Sequence, residues 1–118
     1  MVGLQRMKLA TGDELRVLVR CGQRGARCLL LHGNPGSLED WSPILEPLSE
    51  VADVVAIDLP GFGESAVGHG TLSLEHLSDV ALSVADHLGW QEPFYVVGHS
   101  HGGGIAQVLA ARHPERVA

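Results

Sequence analysis

Gly98-His99-Ser100-His101-Gly102 is the stretch best suited to chemistry. It matches G-x-S-x-G and falls between an apolar run, Pro93 to Val97, and a helix-like stretch from about His101 to Arg112. A sharp turn from strand into helix puts the serine backbone in a strained conformation and lifts its Oγ above the carboxyl end of a sheet. Gly98 and Gly102 are then required, because their neighbours approach too closely for a Cβ. Ser100 also stands at a helix N-terminus, where the dipole and free N–H groups favour developing negative charge. A serine held this way is a candidate nucleophile for acyl transfer. The pentapeptide alone is a weak signal, since small residues recur by chance.

Two other loops supply a setting. His32-Gly33-Asn34-Pro35-Gly36 follows the Leu29-Leu30-Leu31 run. Acyl transfer needs backbone N–H groups aimed at the substrate oxygen, and a Gly-Xaa turn at a strand end can turn an amide outward. The two oxyanion donors are assigned to the backbone N–H of Asn34 and of His101. The competing reading of His32-Gly33 is an ordinary strand-end turn. The second loop, Asp58-Leu59-Pro60-Gly61-Phe62-Gly63-Glu64-Ser65, reads as structural, with Asp58 accepting hydrogen bonds from amides of its own turn. Its G-x-G lacks the third glycine and the helix start of a dinucleotide fingerprint.

The remaining reactive side chains read as structural. His99 is expected to pack behind the turn. His69, His76 and His87 fit loop or helix-surface positions. His99-x-His101 resembles a metal pair, but the turn accounts for both residues without a metal. Cys21 and Cys28 match no zinc or redox motif and read as free thiols, Cys28 within a buried strand. No metal and no cofactor are expected.

The elements that must position these loops alternate. Arg6 to Ala10 and Glu14 to Arg20 are extended candidates around Thr11-Gly12-Asp13 and predict an antiparallel hairpin. Arg27 to Leu31 and Val54 to Leu59 are buried strands, and Pro93 to Val97 is a third. Asp40 to Val51 is helix-like through Trp41, Ile44, Leu45 and Leu48, with Pro43 tolerated only in its first turn and Pro47 awkward. Ser73 is a good N-cap for a helix through Leu88, which Gly89 ends. Continuous apolar strands alternating with helices mean a parallel sheet covered on both faces.

With the three loops in this order, the sequence resembles the α/β-hydrolase superfamily. The resemblance spans nearly the whole chain, to His113-Pro114-Glu115-Arg116-Val117. It implies a partial α/β-hydrolase fold: a mostly parallel sheet, its first five strands, with helices on both faces, forming residues 1–118 as the N-terminal part of one domain. It implies that Ser100 attacks an acyl carbonyl after a histidine takes its proton, and that water hydrolyses the resulting ester. His-Gly-Asn-Pro-Gly is also similar to the corresponding loop of haloalkane dehalogenases and epoxide hydrolases. Those relatives use an aspartate where this chain has Ser100, so an ester, thioester, lactone or vinylogous C–C substrate is expected instead.

The resemblance also implies an acid and a histidine later in the chain than Ser100. The residues after Ser100 include Glu115, His101 and His113, none in a credible triad position. His113 lies about three helical turns away, roughly 18 Å at 1.5 Å per residue. Three readings follow: a truncated α/β-hydrolase, which is favoured, a non-enzymatic module that keeps the sheet for binding, or a half-enzyme completed by a second polypeptide. In each, the strand before Ser100 has an open, apolar edge, and self-association through it is expected.

Bulk properties narrow the partners. A formal charge of −6 and a pI near 5.5 give no attraction to phosphate backbones or anionic lipid. A small-molecule acyl substrate is expected, with no nucleic acid and no membrane. No apolar run reaches the ~18 residues of a membrane span. Met1 to Lys8 has no apolar stretch followed by a small-residue cleavage site, so a cytoplasmic location is expected.

Overall fold

The computed structural model describes residues 2–22, 25–66 and 72–118. β1 (Val2–Lys8) and β2 (Glu14–Arg20) form the expected antiparallel hairpin, in register from Val2 opposite Arg20 to Lys8 opposite Glu14. β1 stops two residues short of the expected Ala10. The Leu9 N–H donates to the Asp13 carbonyl at 2.8 Å and the Gly12 N–H to the Leu9 carbonyl at 2.9 Å, so the turn begins at Leu9.

β3 (Arg27–Leu31), β4 (Asp53–Ile57) and β5 (Tyr95–Gly98) complete a five-stranded sheet of order β1-β2-β4-β3-β5. β3 pairs in parallel with β4 and β5, and β2 joins β4 antiparallel. The result is a parallel core with an antiparallel hairpin on one edge.

Side-chain alternation divides the core between the two faces. Leu29, Leu31, Val55 and Ile57 pack with Leu77, Val80, Ala81, Val84, Ile105 and Leu109, which belong to α2 (Leu74–His87) and α3 (His101–Arg112). Cys28, Leu30, Val54 and Ala56 pack with Leu38 and Leu45, on the side of α1 (Ser42–Ser49). Burial on both faces explains why β3 and β4 read as unbroken apolar runs. α2 starts as expected: the Ser73 hydroxyl accepts from the His76 N–H at 3.1 Å. Gly89, at φ 76, follows its end.

The expected helix Asp40 to Val51 divides into a 3-10 turn, Leu38–Trp41, and α1. Pro43 lies in the first turn of α1, where a missing N–H costs nothing. Pro47 lies inside it and has no N–H to donate to the Pro43 carbonyl.

Two strand boundaries also move. β4 ends at Ile57 because the next amides leave the parallel ladder: Asp58 N–H donates to the Arg16 carbonyl at 3.0 Å, and Leu59 N–H to His32 Nε2 at 3.0 Å. β5 starts at Tyr95, not Pro93. Pro93 has no N–H to donate, and Phe94 pairs away from β3: its N–H donates to the Arg116 carbonyl at 3.1 Å and its carbonyl accepts from the Ala118 N–H at 2.9 Å. Residues 116–118 thus lie along the outer edge of β5 at its beginning. Beyond that bridge the surface is open. Tyr95 and Val97 sit in register with Cys28 and Leu30, on the α1 side, and are 55% and 40% exposed. Among the described residues no helix is long and apolar enough to cross a membrane.

Candidate active site

Ser100 joins β5 to α3. It adopts φ 56, ψ −111, and is the one non-glycine residue with positive φ among the described residues. Such a backbone costs of order 1–3 kcal/mol and persists only where its surroundings over-determine it. Here they do. The His99 N–H donates to the Leu31 carbonyl at 3.1 Å, the Gly102 N–H to the His99 carbonyl at 3.0 Å, and the Gly104 N–H to the Ser100 carbonyl at 3.1 Å. These bonds tie the turn to β3 and start α3 at once.

The two flanking glycines are both forced. A Cβ on Gly98 would overlap the Gly102 carbonyl, and one on Gly102 would overlap the Leu31 carbonyl and lie 2.7 Å from the His32 carbonyl oxygen. α3 therefore starts almost in contact with β3. Ser100 itself is exposed at the carboxyl end of the sheet.

The loop after β3 meets this turn. A Cβ on Gly33 would lie 3.0 Å from His99 Nδ1 and 3.4 Å from Ser100 Cβ. The predicted donors thus come from adjoining segments: Asn34 follows Gly33, and His101 follows Ser100. Neither the Asn34 nor the His101 amide donates to a protein acceptor among the described residues. His32 is fully buried, its ring edge-on to Phe62 with centroids 5.5 Å apart.

The Asp58 loop is held more widely than its own turn. Asp58 is 0% exposed, and its carboxylate accepts from the Glu64 N–H at 2.8 Å, from the Leu38 N–H at 2.7 Å and from Arg16 Nε at 2.7 Å. Arg16, 8% exposed, also reaches Glu39 at 2.5 Å and Glu64 at 2.9 Å. The Ser65 hydroxyl donates to the Asp58 carbonyl at 2.7 Å and accepts from the Arg16 N–H at 2.9 Å. One buried cation therefore joins β2, the 3-10 turn and the loop after β4. Its hydrogen bonds to Glu39 and Asp58 push the Arg16 pKa up, and the bond to Arg16 pulls the Glu39 carboxyl down to about 2. Arg16 had no signal in the sequence beyond being a polar residue in an alternating strand.

His99 departs from expectation. It is exposed and lines a cavity of about 450 Å³ with His32, Gly33, Asp40, Trp41 and Gly98. The reason is its place after Tyr95 and Val97, on the face of β5 that α1 does not cover. Ser100 is not among the lining residues, so the cavity adjoins the serine without enclosing it.

The other histidines are scattered. His76 Nε2 lies 3.3 Å from the buried Asp13 carboxylate, at the hairpin turn. His87 is exposed in the last turn of α2, and His113 is the C-cap of α3. His69 and the loop around it, 67–71, lie outside the described residues. Among the described residues no histidine hydrogen-bonds Ser100, and no cluster of three potential metal ligands occurs. Burial pushes the pKa values of the Cys21 and Cys28 thiols up, that of Cys28 to about 11.

The sheet order and the strand–Ser100–helix turn agree with a family profile described as the α/β-hydrolase fold, which matches residues 28–118. The chain belongs to the α/β-hydrolase fold family. It is 38% identical over 111 residues to the dihydrolipoyllysine-residue acetyltransferase component of the acetoin cleaving system from Cupriavidus necator, covering 93% of this chain and 29% of that protein. It is 40% identical over 97 residues to a pimeloyl-[acyl-carrier protein] methyl ester esterase from Citrobacter koseri, covering 81% of this chain and 35% of the esterase. The crystal structure of a bacterial membrane phospholipase A superposes with a TM-score of 0.90 at 30% identity, over 98% of this chain and 37% of that one. The chain thus spans about a third of the length of the α/β-hydrolase relatives it matches.

Proposed function

We propose that this α/β-hydrolase chain carries the nucleophile and oxyanion donors of an acyl-transferring hydrolase. Ser100 attacks the carbonyl of an ester, thioester, lactone or related acyl compound, and water then releases the acyl group from the serine. The Asn34 and His101 amides face the oxyanion. The observation that carries this reading is the Ser100 backbone at φ 56, ψ −111, held between two glycines that admit no Cβ. Strain of this kind is retained where it serves a site. The relatives support the chemistry: one is named an acetyltransferase component and another a methyl ester esterase.

Activation of Ser100 needs a base, and among the described residues none is in place. The catalytic acid and histidine are assigned to polypeptide outside these residues, whether continuous with this chain or not.

The test is a short-chain ester assay on the 118-residue chain alone and on the same residues joined to the C-terminal portion of the esterase relative. The chain alone is expected to show no Ser100-dependent turnover. The fusion is expected to turn over ester and to lose it in Ser100→Ala, by at least ~10³-fold. A folded fusion that stays inert, or one whose turnover survives Ser100→Ala, overturns the reading.

A further inference from the structure

The buried His32 ring has two hydrogen-bond contacts, and together they select one tautomer. At Nε2 the partner is the Leu59 N–H, 3.0 Å away. An amide N–H can only donate, so Nε2 carries the lone pair. At Nδ1 the partner is the Gly33 carbonyl oxygen, 2.7 Å away. A carbonyl oxygen can only accept, so Nδ1 carries the proton. The two partners together assign the Nδ1–H tautomer to the ring, which spans the loops after β3 and β4.

This bond orients the peptide that follows. The Gly33–Asn34 bond is trans. In a planar trans peptide the C=O and N–H point in opposite directions. The Gly33 carbonyl is turned back onto the His32 ring, so the Asn34 N–H points away from it. Gly33 itself lies against His99 and Ser100. The far anchor of the ring is equally firm. Leu59 follows Asp58, whose carboxylate is held by Arg16 and by the Leu38 and Glu64 amides.

We propose that His32 is a positioning residue: its Nδ1–H holds the Gly33 carbonyl and thereby presents the Asn34 N–H as an anion donor beside Ser100. The role of that donor rests on the hydrolase reading above, whereas the lock itself does not. His32 touches no reacting atom in this scheme.

The experiment is long-range ¹H–¹⁵N NMR on the ¹⁵N-labelled 118-residue protein near neutral pH. The His32 ring is expected to show a protonated Nδ1 and an unprotonated Nε2. An Nε2–H tautomer or a charged ring overturns the proposal, and this measurement needs no variant. Two variants then separate positioning from packing. Asn places its amide near the Nδ1 position and Gln near the Nε2 position. His32→Asn is expected to keep the Asn34 amide resonance and its solvent-exchange rate close to the parent, and His32→Gln to move both. Equal displacement in the two variants also overturns the proposal. The outcomes are separable from those of the ester assay. A correct tautomer with a folded fusion that stays inert sinks the hydrolase reading alone, and a wrong tautomer with a fusion whose Ser100 turns over ester sinks the positioning role alone.

Discussion

Gly98 and Gly102 stand face to face across the turn that carries Ser100, so close that a Cβ on Gly98 would overlap the Gly102 carbonyl. Gly102 is in turn pressed against the Leu31 carbonyl. The Ser100 turn is therefore wedged between its own helix and β3, and the contacts are backbone against backbone, with no flexible side chain able to yield.

That packing makes the glycines around the turn unequal. Gly98→Ala and Gly102→Ala are each expected to destabilise the chain by about 1–3 kcal/mol, the usual cost of overfilling a packed site. Gly103→Ala is expected to be neutral or to stabilise by up to about 1 kcal/mol, because its Cβ would meet the Gly98 carbonyl oxygen at 3.4 Å, an ordinary contact, within a helix. Urea unfolding of the three variants checks this, and three equal midpoints would contradict it.

The strain at Ser100 gives a second expectation. Ser100→Gly relieves a positive-φ backbone worth of order 1–3 kcal/mol and adds about 0.5–1 kcal/mol of unfolded-state freedom. A net stabilisation of about 1 kcal/mol is expected, with any Ser100-dependent turnover lost. Ser100→Ala, which keeps a Cβ, should leave stability nearly unchanged. Thermal unfolding distinguishes the two, and a destabilised Ser100→Gly would show that the backbone is not strained.

Arg16 sets a pH dependence through Glu39. The folded carboxyl titrates at about 2, held down by the hydrogen bond from Arg16, against about 4.3 in an unfolded chain. A depressed carboxylate pKa adds stability above the unfolded value and loses it as pH falls through the folded one. Glu39 is 56% exposed, so solvent screening limits the contribution to less than about 1 kcal/mol. Glu39→Gln should be slightly less stable than the parent at pH 7, and the gap should close between about pH 4.5 and 2. A gap that persists at pH 2 would assign the effect to packing.

The uncovered side of β5 predicts association. Tyr95 and Val97 present apolar surface beside a sheet edge that residues 116–118 occupy only at its beginning. Open edges of this kind recruit other strands. The 118-residue chain is expected to self-associate with rising concentration in sedimentation velocity, and Tyr95→Lys with Val97→Lys to reduce that. A parent chain that stays monomeric throughout would show that the bridge to Val117 protects the edge.

Much of the architecture was legible because it is local. Arg27 to Leu31 and His101 to Arg112 were readable to the residue, since an unbroken apolar run and a helix bounded by a sharp turn and by His113-Pro114 each carry their own limits. Ser73 announced α2 by capping it within one turn. Boundaries failed where a partner distant in sequence competed for an amide. β4 ends early because Leu59 N–H finds His32, and β5 starts late because Phe94 pairs with the chain near Val117.

The sequence by itself determined the alternation of strands and helices, the three loops at the strand ends and the Ser100 turn with its two glycines. Those depend on periodicity and on steric limits that act over a few residues. Only the tertiary structure decided that Arg16 would neutralise Asp58 across 42 positions, that His32 would lock onto Leu59 across 27, and that His99 would face an open cavity. The physical reason is the sheet order. Placing β4 between β2 and β3 brings their loops into hydrogen-bonding range, and leaving the α1 face of β5 uncovered exposes what local pattern places in the interior.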